Sequence, residues 1–181
     1  MMVKTIFSGL GGQGVLMMGF TLAHGAMSAG YHVTFLPAYG AEVRGGTANC
    51  TVAVSDDDIA SPIASEPDHI VVLNTPSLYT FQNRVARGGC LFLNSSIISV
   101  EPSRHDVRIF KIPASEMAEK LGNPRVVNTI MMGVFLKKTG LVPSDTYLSS
   151  MEEVMGRKKK SIVEINRKAF SAGFEYLQES I

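Results

Sequence analysis

Six residues near the start of the chain, Gly-Leu-Gly-Gly-Gln-Gly at 9–14, constrain the fold more than any other segment. They satisfy the pattern Gly-x-Gly-x-x-Gly and follow a short apolar run at 3–8, which is typical of a buried strand. Apolar residues then recur at helical spacing over 14–29, and Gly30 stands where a helix would end. A second apolar run at 32–37 completes a strand–turn–helix–strand unit. We therefore expect a right-handed βαβ crossover at the start of the fold.

The glycine turn has two interpretations. Glycines let the backbone approach a phosphate, and the helix behind them presents free N–H groups and the positive end of its dipole. A dinucleotide site also needs an acidic residue about 20 positions further on, but the first acid after the turn is Glu42, inside a predicted loop. The alternative is that the glycines only permit a tight strand-to-helix connection. We expect the Gln13 amide to point out of the crevice mouth, toward a ligand, a loop or a partner chain. The candidate ligand contacts of the turn are Gly9, Gly11, Gly12, Gln13 and Gly14.

A second candidate segment follows the second predicted strand. Positions 37–46 read Pro-Ala-Tyr-Gly-Ala-Glu-Val-Arg-Gly-Gly, which is a loop by composition. Loops after the carboxyl ends of strands line one crevice in a doubly wound sheet, so we expect this loop to face Gln13. Arg44 could fork onto a carboxylate or phosphate, or it could pair with Glu42 and pin the loop. The predicted binding residues here, with one residue that follows a later strand, are Tyr39, Glu42, Arg44, Gly45, Gly46 and Asn94.

The rest of the chain first continues with strands and then becomes helical. We expect a strand with one less buried face at 47–55, and further strands at 69–74, 90–94 and 107–112. Helices are predicted over 76–86, 114–121, 128–139, 144–154 and 156–179, with Asn128 and Ser144 as helix caps. No repeat or linker divides 1–181. The sequence therefore predicts a single Rossmann-like α/β domain, a mostly parallel sheet with flanking helices and a helical C-terminal segment.

Composition excludes several classes of protein. With 17 Lys plus Arg against 16 Asp plus Glu the formal net charge is +1, which leaves no electrostatic footprint for nucleic acid. Cys50 and Cys90 are far apart, and the four histidines lack metal-ligand spacing, so we expect no metal or iron–sulfur site in this chain alone. No apolar run is long enough to cross a bilayer, and the first residues do not form a signal peptide. We therefore expect a cytoplasmic protein without membrane contact.

The glycine turn and the second loop together resemble the gamma subunit of the 2-oxoacid:ferredoxin oxidoreductases. The matching motifs are Gly-Leu-Gly-Gly-Gln-Gly-Val at 9–15 and Tyr-Gly-Ala-Glu-Val-Arg-Gly-Gly at 39–46. The form Ala-Glu-Val-Arg-Gly-Gly-Thr at 41–47 looks closer to the 2-oxoglutarate and branched-chain 2-oxoacid types than to the pyruvate type. The resemblance continues, in the family's order, through Asn94-Ser95, Asn128, Thr139-Gly140 and Asn166.

The resemblance implies a subunit of a complex that oxidatively decarboxylates a 2-oxoacid with coenzyme A, giving acyl-CoA, CO2 and reduced ferredoxin. Thiamine diphosphate, Mg2+ and iron–sulfur clusters would belong to alpha, beta and ferredoxin-like delta subunits, and ferredoxin would accept the electrons. This chain would bind no cofactor alone and would be inactive by itself. Its two loops would support the active site or the coenzyme A site across a subunit boundary.

Two other functions remain open at this point. One is a free-standing nucleotide- or dinucleotide-binding protein that uses the same glycine turn. The other is a structural scaffold whose crevice only docks a partner. An isolated subunit would expose a partner-facing apolar patch, so we also expect it to self-associate.

Overall fold

The computed structural model describes residues 1–39, 46–156 and 159–176 of the chain. Within these residues six strands form one sheet in the order β2-β3-β1-β4-β5-β6. Their bounds are β1 Met2–Leu10, β2 His32–Tyr39, β3 Thr47–Ser55, β4 His69–Val72, β5 Cys90–Asn94 and β6 Arg108–Ile112.

The sheet is mostly parallel, as the sequence predicts, with one reversed strand. β1, β4, β5 and β6 pair in parallel, whereas β3 runs antiparallel to both of its neighbours, β1 and β2. The predicted β1–α1–β2 unit therefore has parallel strands, and β3 lies between them in the sheet. Ala48, for example, stands opposite Gly9 of β1 and opposite Tyr39 of β2.

Because β3 lies between β2 and β1, it is also more buried than predicted. The alternation of apolar and polar residues favours one exposed face, yet every residue from Cys50 to Ser55 is buried. A strand that is paired on both edges and covered on both faces buries its polar side chains as well, and Thr51 is only 9% exposed.

In the described part of the chain, six α-helices cover the two faces of the sheet unequally. Buried residues of α1 and α3–α6 form one core cluster on one face, and buried residues of α2 contribute to a second cluster on the opposite face. The predicted cap at Ser144 is wrong, because Ser144 is the first residue of its helix and Pro143 occupies the N-cap without a side-chain hydrogen bond. The helix bounds are α1 Val15–Ser28, α2 Thr75–Phe81, α3 Ala114–Lys120, α4 Val127–Thr139, α5 Ser144–Met155 and α6 Lys160–Phe174.

Two glycines let α4 and α6 approach to backbone contact. A Cβ on Gly133 of α4 would overlap the carbonyl oxygen of Phe170, and a Cβ on Gly173 of α6 would overlap that of Ile130. α4 is also the helix whose first turn contacts the glycine turn, through Asn128 and Gly14, so this crossing belongs to a helix that borders the candidate site.

Candidate functional site

The glycine turn joins β1 to α1, and two of its residues require glycine for conformational reasons. Gly12 has a φ of 97° and Gly14, the N-cap of α1, a φ of 77°, both in the left-handed region. Gly9 is confined by its surroundings, because a Cβ there would lie 2.6 Å from Gln13 Oε1 and 3.1 Å from the Cβ of Leu73. Local geometry therefore accounts for these three glycines.

The Gln13 side chain folds back onto the turn, which corrects the expectation that its amide projects outward. Gln13 precedes α1, and its Oε1 accepts a hydrogen bond of 2.7 Å from the Leu10 N–H. The Gln13 N–H in turn donates to the Leu10 carbonyl at 3.1 Å. This reciprocal pair stabilises the turn, while the Nε2 of Gln13 makes no hydrogen bond to any residue that the structure describes.

The two predicted segments meet at their glycines. The Gly11 N–H donates a 2.9 Å hydrogen bond to the carbonyl of Gly46, which brings the end of the second loop against the first turn. Tyr39 ends β2. The other predicted residues of this loop, Glu42, Arg44 and Gly45, lie outside the described residues, and so does their expected approach to Gln13.

Asn94 is a fixed part of the core and is not open to the crevice. It is fully buried at the end of β5, and its Nδ2 donates to Ser115 Oγ at 2.9 Å. Its Oδ1 accepts a longer bond, 3.4 Å, from the Ser115 N–H. The Asn94 amide therefore anchors the first turn of α3 to the sheet.

Asn128 does not cap its helix, contrary to the prediction. It lies inside α4, whose N-cap is Val126, and its Nδ2 contacts the carbonyl of Gly14 at 3.5 Å. A Cβ on Gly14 would overlap this Asn128 side chain, so the turn needs a glycine here for space as well as for conformation.

A buried hydrogen bond continues this support from α4 to α6. Thr129 Oγ1 donates to Asn166 Oδ1 at 2.7 Å, and Asn166 Nδ2 donates to the carbonyl of Ile162 at 2.8 Å. Thr129 and Asn166 lie on the buried sides of α4 and α6, and a polar residue within an apolar stripe is the sequence signal that could indicate this network, because buried amides need partners.

A cleft of about 250 Å3 opens beside the glycine turn. Among the described lining residues only Arg125 is charged; it is exposed and forms no ion pair with any described residue. The helix α1 begins nearby without a side-chain cap, so the N–H groups of its first turn add positive potential, whereas α4 continues from a 3-10 turn at Pro124–Val126 that the Asn123 side chain caps. The cleft therefore suits an anionic group. Its lining residues are Gly12, Gln13, Ile97, Ser115, Pro124, Arg125 and Val127.

The two thiols are buried, and burial favours their protonated form. Burial raises the pKa of Cys50 to about 12, and burial also raises the pKa of Cys90, against the opposing effect of the nearby Arg108. Among the described ranges, no group of three or more His, Cys, Asp or Glu side chains could hold a metal ion. None of the helices in these ranges is both long and apolar enough to cross a membrane.

The family model described as pyruvate ferredoxin/flavodoxin oxidoreductase matches residues 4–176. The chain therefore belongs to this family, and the resemblance inferred from the two motifs is confirmed.

The relatives are subunits of oxidoreductases that act on different 2-oxoacids. Ketoisovalerate oxidoreductase subunit VorA of Methanothermobacter thermautotrophicus is 41% identical over 99% of this chain, but the chain spans only 37% of that relative's length. The 2-oxoglutarate synthase subunit KorC of the same organism is 31% identical over 95% of this chain and 93% of its own length. The crystal structure of the keto/oxoacid ferredoxin oxidoreductase gamma subunit from Geobacter sulfurreducens PCA superposes with a TM-score of 0.85, at 26% identity over 97% of this chain and 95% of that one.

Proposed function

We propose that this chain, as one domain spanning 1–181, is the gamma-type subunit of a cytoplasmic 2-oxoacid:ferredoxin oxidoreductase. The complex would convert a 2-oxoacid and coenzyme A into acyl-CoA, CO2 and reduced ferredoxin. The observation that carries the proposal is the end-to-end match to KorC, a subunit of nearly the same extent. Thiamine diphosphate, Mg2+ and the iron–sulfur clusters would reside in alpha, beta and delta partner subunits.

The relatives favour a branched-chain substrate. Identity to the subunit named for ketoisovalerate is 41%, against 31% for the subunit named for 2-oxoglutarate. Ketoisovalerate is the branched-chain member of this pair, so we propose a branched-chain 2-oxoacid as the substrate of the complex.

Within the complex, we propose that the cleft beside the glycine turn borders the phosphates of coenzyme A. Three features support this role: Arg125 has no ion pair with a described residue, α1 begins nearby without a side-chain cap, and the described lining includes no acidic side chain. The second loop, with Tyr39, Glu42, Arg44 and Gly45, would extend the same surface next to the Gly46 contact. No comparison favours the alternative of a free-standing nucleotide-binding protein.

The test uses the assembled complex, purified from the cells that make it through a tag on this chain. We expect coenzyme A-dependent reduction of ferredoxin with ketoisovalerate, at a higher kcat/KM than with 2-oxoglutarate or pyruvate. Preparations in which no 2-oxoacid supports reduction, or in which no thiamine-containing chain accompanies this one, would overturn the proposal.

The Arg125→Ala variant tests the cleft separately. Loss of a charge-assisted contact to a phosphate should raise the KM for coenzyme A by about tenfold, which corresponds to about 1.4 kcal/mol, and leave the KM for the 2-oxoacid unchanged. Arg87→Ala is the matched control, because Arg87 is also exposed but follows α2, next to Asp106 and away from the cleft. If the two variants have equal kinetics, coenzyme A does not bind in this cleft.

A further inference from the structure

Ser115 lines the cleft beside the glycine turn and is held there by a residue of the core. It lies in the first turn of α3, and the side chain of Asn94, fully buried at the end of β5, contacts it twice. Asn94 Nδ2 donates to Ser115 Oγ at 2.9 Å, and Asn94 Oδ1 accepts from the Ser115 N–H at 3.4 Å. These two contacts fix Ser115 relative to the carboxyl end of β5.

The backbone of Ser115 decides the orientation of the Asn94 amide. An N–H group only donates, so the amide atom that faces it is the acceptor Oδ1, and Nδ2 then faces the hydroxyl. An amide nitrogen also only donates, so Ser115 Oγ is the acceptor in that bond. The hydroxyl proton of Ser115 is therefore not used between the two residues, and no described residue accepts it. It is available to an acceptor in the cleft.

Gln13, a second lining residue, has its side-chain amide oriented in the same way. Its Oε1 accepts from the Leu10 N–H, which leaves Nε2 as a donor without a described acceptor. Together with Arg125, the described lining offers a hydroxyl, an amide and a guanidinium as donors, and it includes no carboxylate that could accept from them. A phosphate group, with three acceptor oxygens and up to two negative charges, matches this set of donors better than a carboxylate with two oxygens.

The size of the cleft limits how much of a ligand it can hold. Its volume of about 250 Å3 is below the roughly 300–1,000 Å3 of pockets that enclose a whole drug-sized molecule. Coenzyme A is larger than such molecules and carries a terminal phosphate and an internal diphosphate. The cleft therefore suits one phosphate-bearing part of coenzyme A.

We infer that Ser115 is a binding residue that donates its hydroxyl proton to a phosphate of coenzyme A, and that Asn94 is the positioning residue that directs this proton into the cleft. The inference rests on the proposed function, because that function supplies coenzyme A as the ligand. It adds Ser115, which belongs to no sequence motif, and it gives Asn94 an indirect role in place of the predicted direct contact.

Steady-state kinetics of the purified complex test the role of Ser115. Ser115→Ala should raise the KM for coenzyme A by about tenfold, because a hydrogen bond to a charged group is lost, and leave kcat and the KM for the 2-oxoacid unchanged. Ser96→Ala is the matched control and should change neither KM. The Ser96 hydroxyl also holds the first turn of α3, by accepting from the Glu116 N–H at 3.2 Å, but Ser96 is not among the described lining residues.

Two results would overturn the role of Ser115. One is an equal effect of Ser115→Ala and Ser96→Ala, which would show that Ser115 only supports α3. The other is a raised KM for the 2-oxoacid in place of coenzyme A. Dephospho-coenzyme A, which lacks the terminal phosphate, identifies the group that is bound. If the difference between variant and parent disappears with this substrate, the contact is to the terminal phosphate, and if it persists, the contact is to the diphosphate.

Asn94→Asp tests the positioning role with almost no change of shape. A carboxylate accepts where the amide donates, so the Ser115 hydroxyl would donate to it and its proton would leave the cleft. We expect the KM for coenzyme A to rise about as much as in Ser115→Ala. The double variant should show no further rise, because both changes remove the same bond. Asn94→Ala, which places no carboxylate in the core, serves where Asn94→Asp does not assemble, with the same expectation for its double variant.

The double variants separate positioning from general support of the fold. If the effects of the two changes on the KM multiply, Asn94 acts independently of Ser115 and its positioning role is wrong. If the parent complex is active and Ser115→Ala behaves like Ser96→Ala, the inference fails and the proposed function stands. If no 2-oxoacid supports coenzyme A-dependent reduction of ferredoxin by the parent complex, both fail.

Discussion

Replacing Gly173 by alanine should destabilise the chain, although alanine is the better helix former. Gly173 lies inside α6, where the helix crosses α4. A Cβ at this position would overlap the carbonyl oxygen of Ile130 and lie 3.1 Å from the Ile130 Cα. Both atoms belong to the backbone of α4, so no change of side-chain rotamer relieves the overlap and the helices must move apart.

Two opposing effects set the size of the change. In an unobstructed helix, glycine to alanine stabilises by about 1 kcal/mol. Overpacking of a close contact costs about 1–3 kcal/mol, and separating two helices also loosens the side chains around their crossing. We expect the free energy of unfolding to fall by about 2 kcal/mol, which for a domain of this size lowers Tm by about 4–8 °C.

Urea unfolding of the isolated chain, followed by far-ultraviolet circular dichroism, measures this change. Gly25→Ala in α1 is the matched control, because a Cβ there would lie 3.5 Å from Val142 Cγ1 and 3.6 Å from the Tyr147 Cα, which are ordinary contacts. The control should be as stable as the parent chain or more stable by up to about 1 kcal/mol. A Gly173→Ala variant that gained stability like the control would refute the close crossing of α4 and α6.

Three further predictions concern the glycine turn and the buried thiol. Gly12→Ala should lower the free energy of unfolding by about 1–2 kcal/mol in chemical denaturation, because its φ of 97° is unfavourable for alanine although no atom lies within 4 Å; an unchanged midpoint would contradict this. Asn128→Ala should lower the free energy of unfolding by about 1 kcal/mol and speed hydrogen exchange at the start of α1, since Gly14 loses its contact to α4. Unchanged exchange would show that Asn128 does not stabilise the turn. For Cys50 the folded-state pKa of about 12 lies above its ordinary value of 9.0, so the native state holds the proton that the unfolded state releases between these values. The free energy of unfolding should therefore fall as pH rises from about 9 toward 12, and it should fall less steeply in Cys50→Ala. Native Cys50 should also resist a thiol reagent at pH 8. An equal pH dependence of the free energy of unfolding in both proteins would show that Cys50 does not contribute to it.

The sequence predicts the local parts of the fold well. The strand, glycine turn and helix at the start depend on neighbouring residues, and β5 lies at Cys90–Asn94 as predicted from its apolar run. The sequence does not predict the place of β3 in the sheet, because alternation identifies a strand but does not identify its neighbours. Its pairing with β1 buries Thr51 in spite of the alternating pattern.

The candidate site is predictable only where its residues are close in the sequence. The glycines of the turn are predictable because they form one motif. Asn128 contacts Gly14 across 114 positions, so the local sequence predicts only helix capping for it. Arg125 faces the cleft because α3 and α4 fold toward the turn, and no local pattern marks that approach.

The position of β3 has a consequence for the order of folding. The β2–β3 hairpin pairs residues as close as Tyr39 and Ala48, whereas β3 meets β1 through distant pairs such as Met2 with Ser55. Loop closure favours the nearer pairs, so we expect the hairpin to form first and then to dock on β1 as a unit. The Gly11–Gly46 hydrogen bond lies at the far end of that docked edge. The two loops would therefore come together as the hairpin begins to dock on β1, since this contact is closer in sequence than any β1–β3 pair, and a chain interrupted before docking would lack the site while retaining the hairpin.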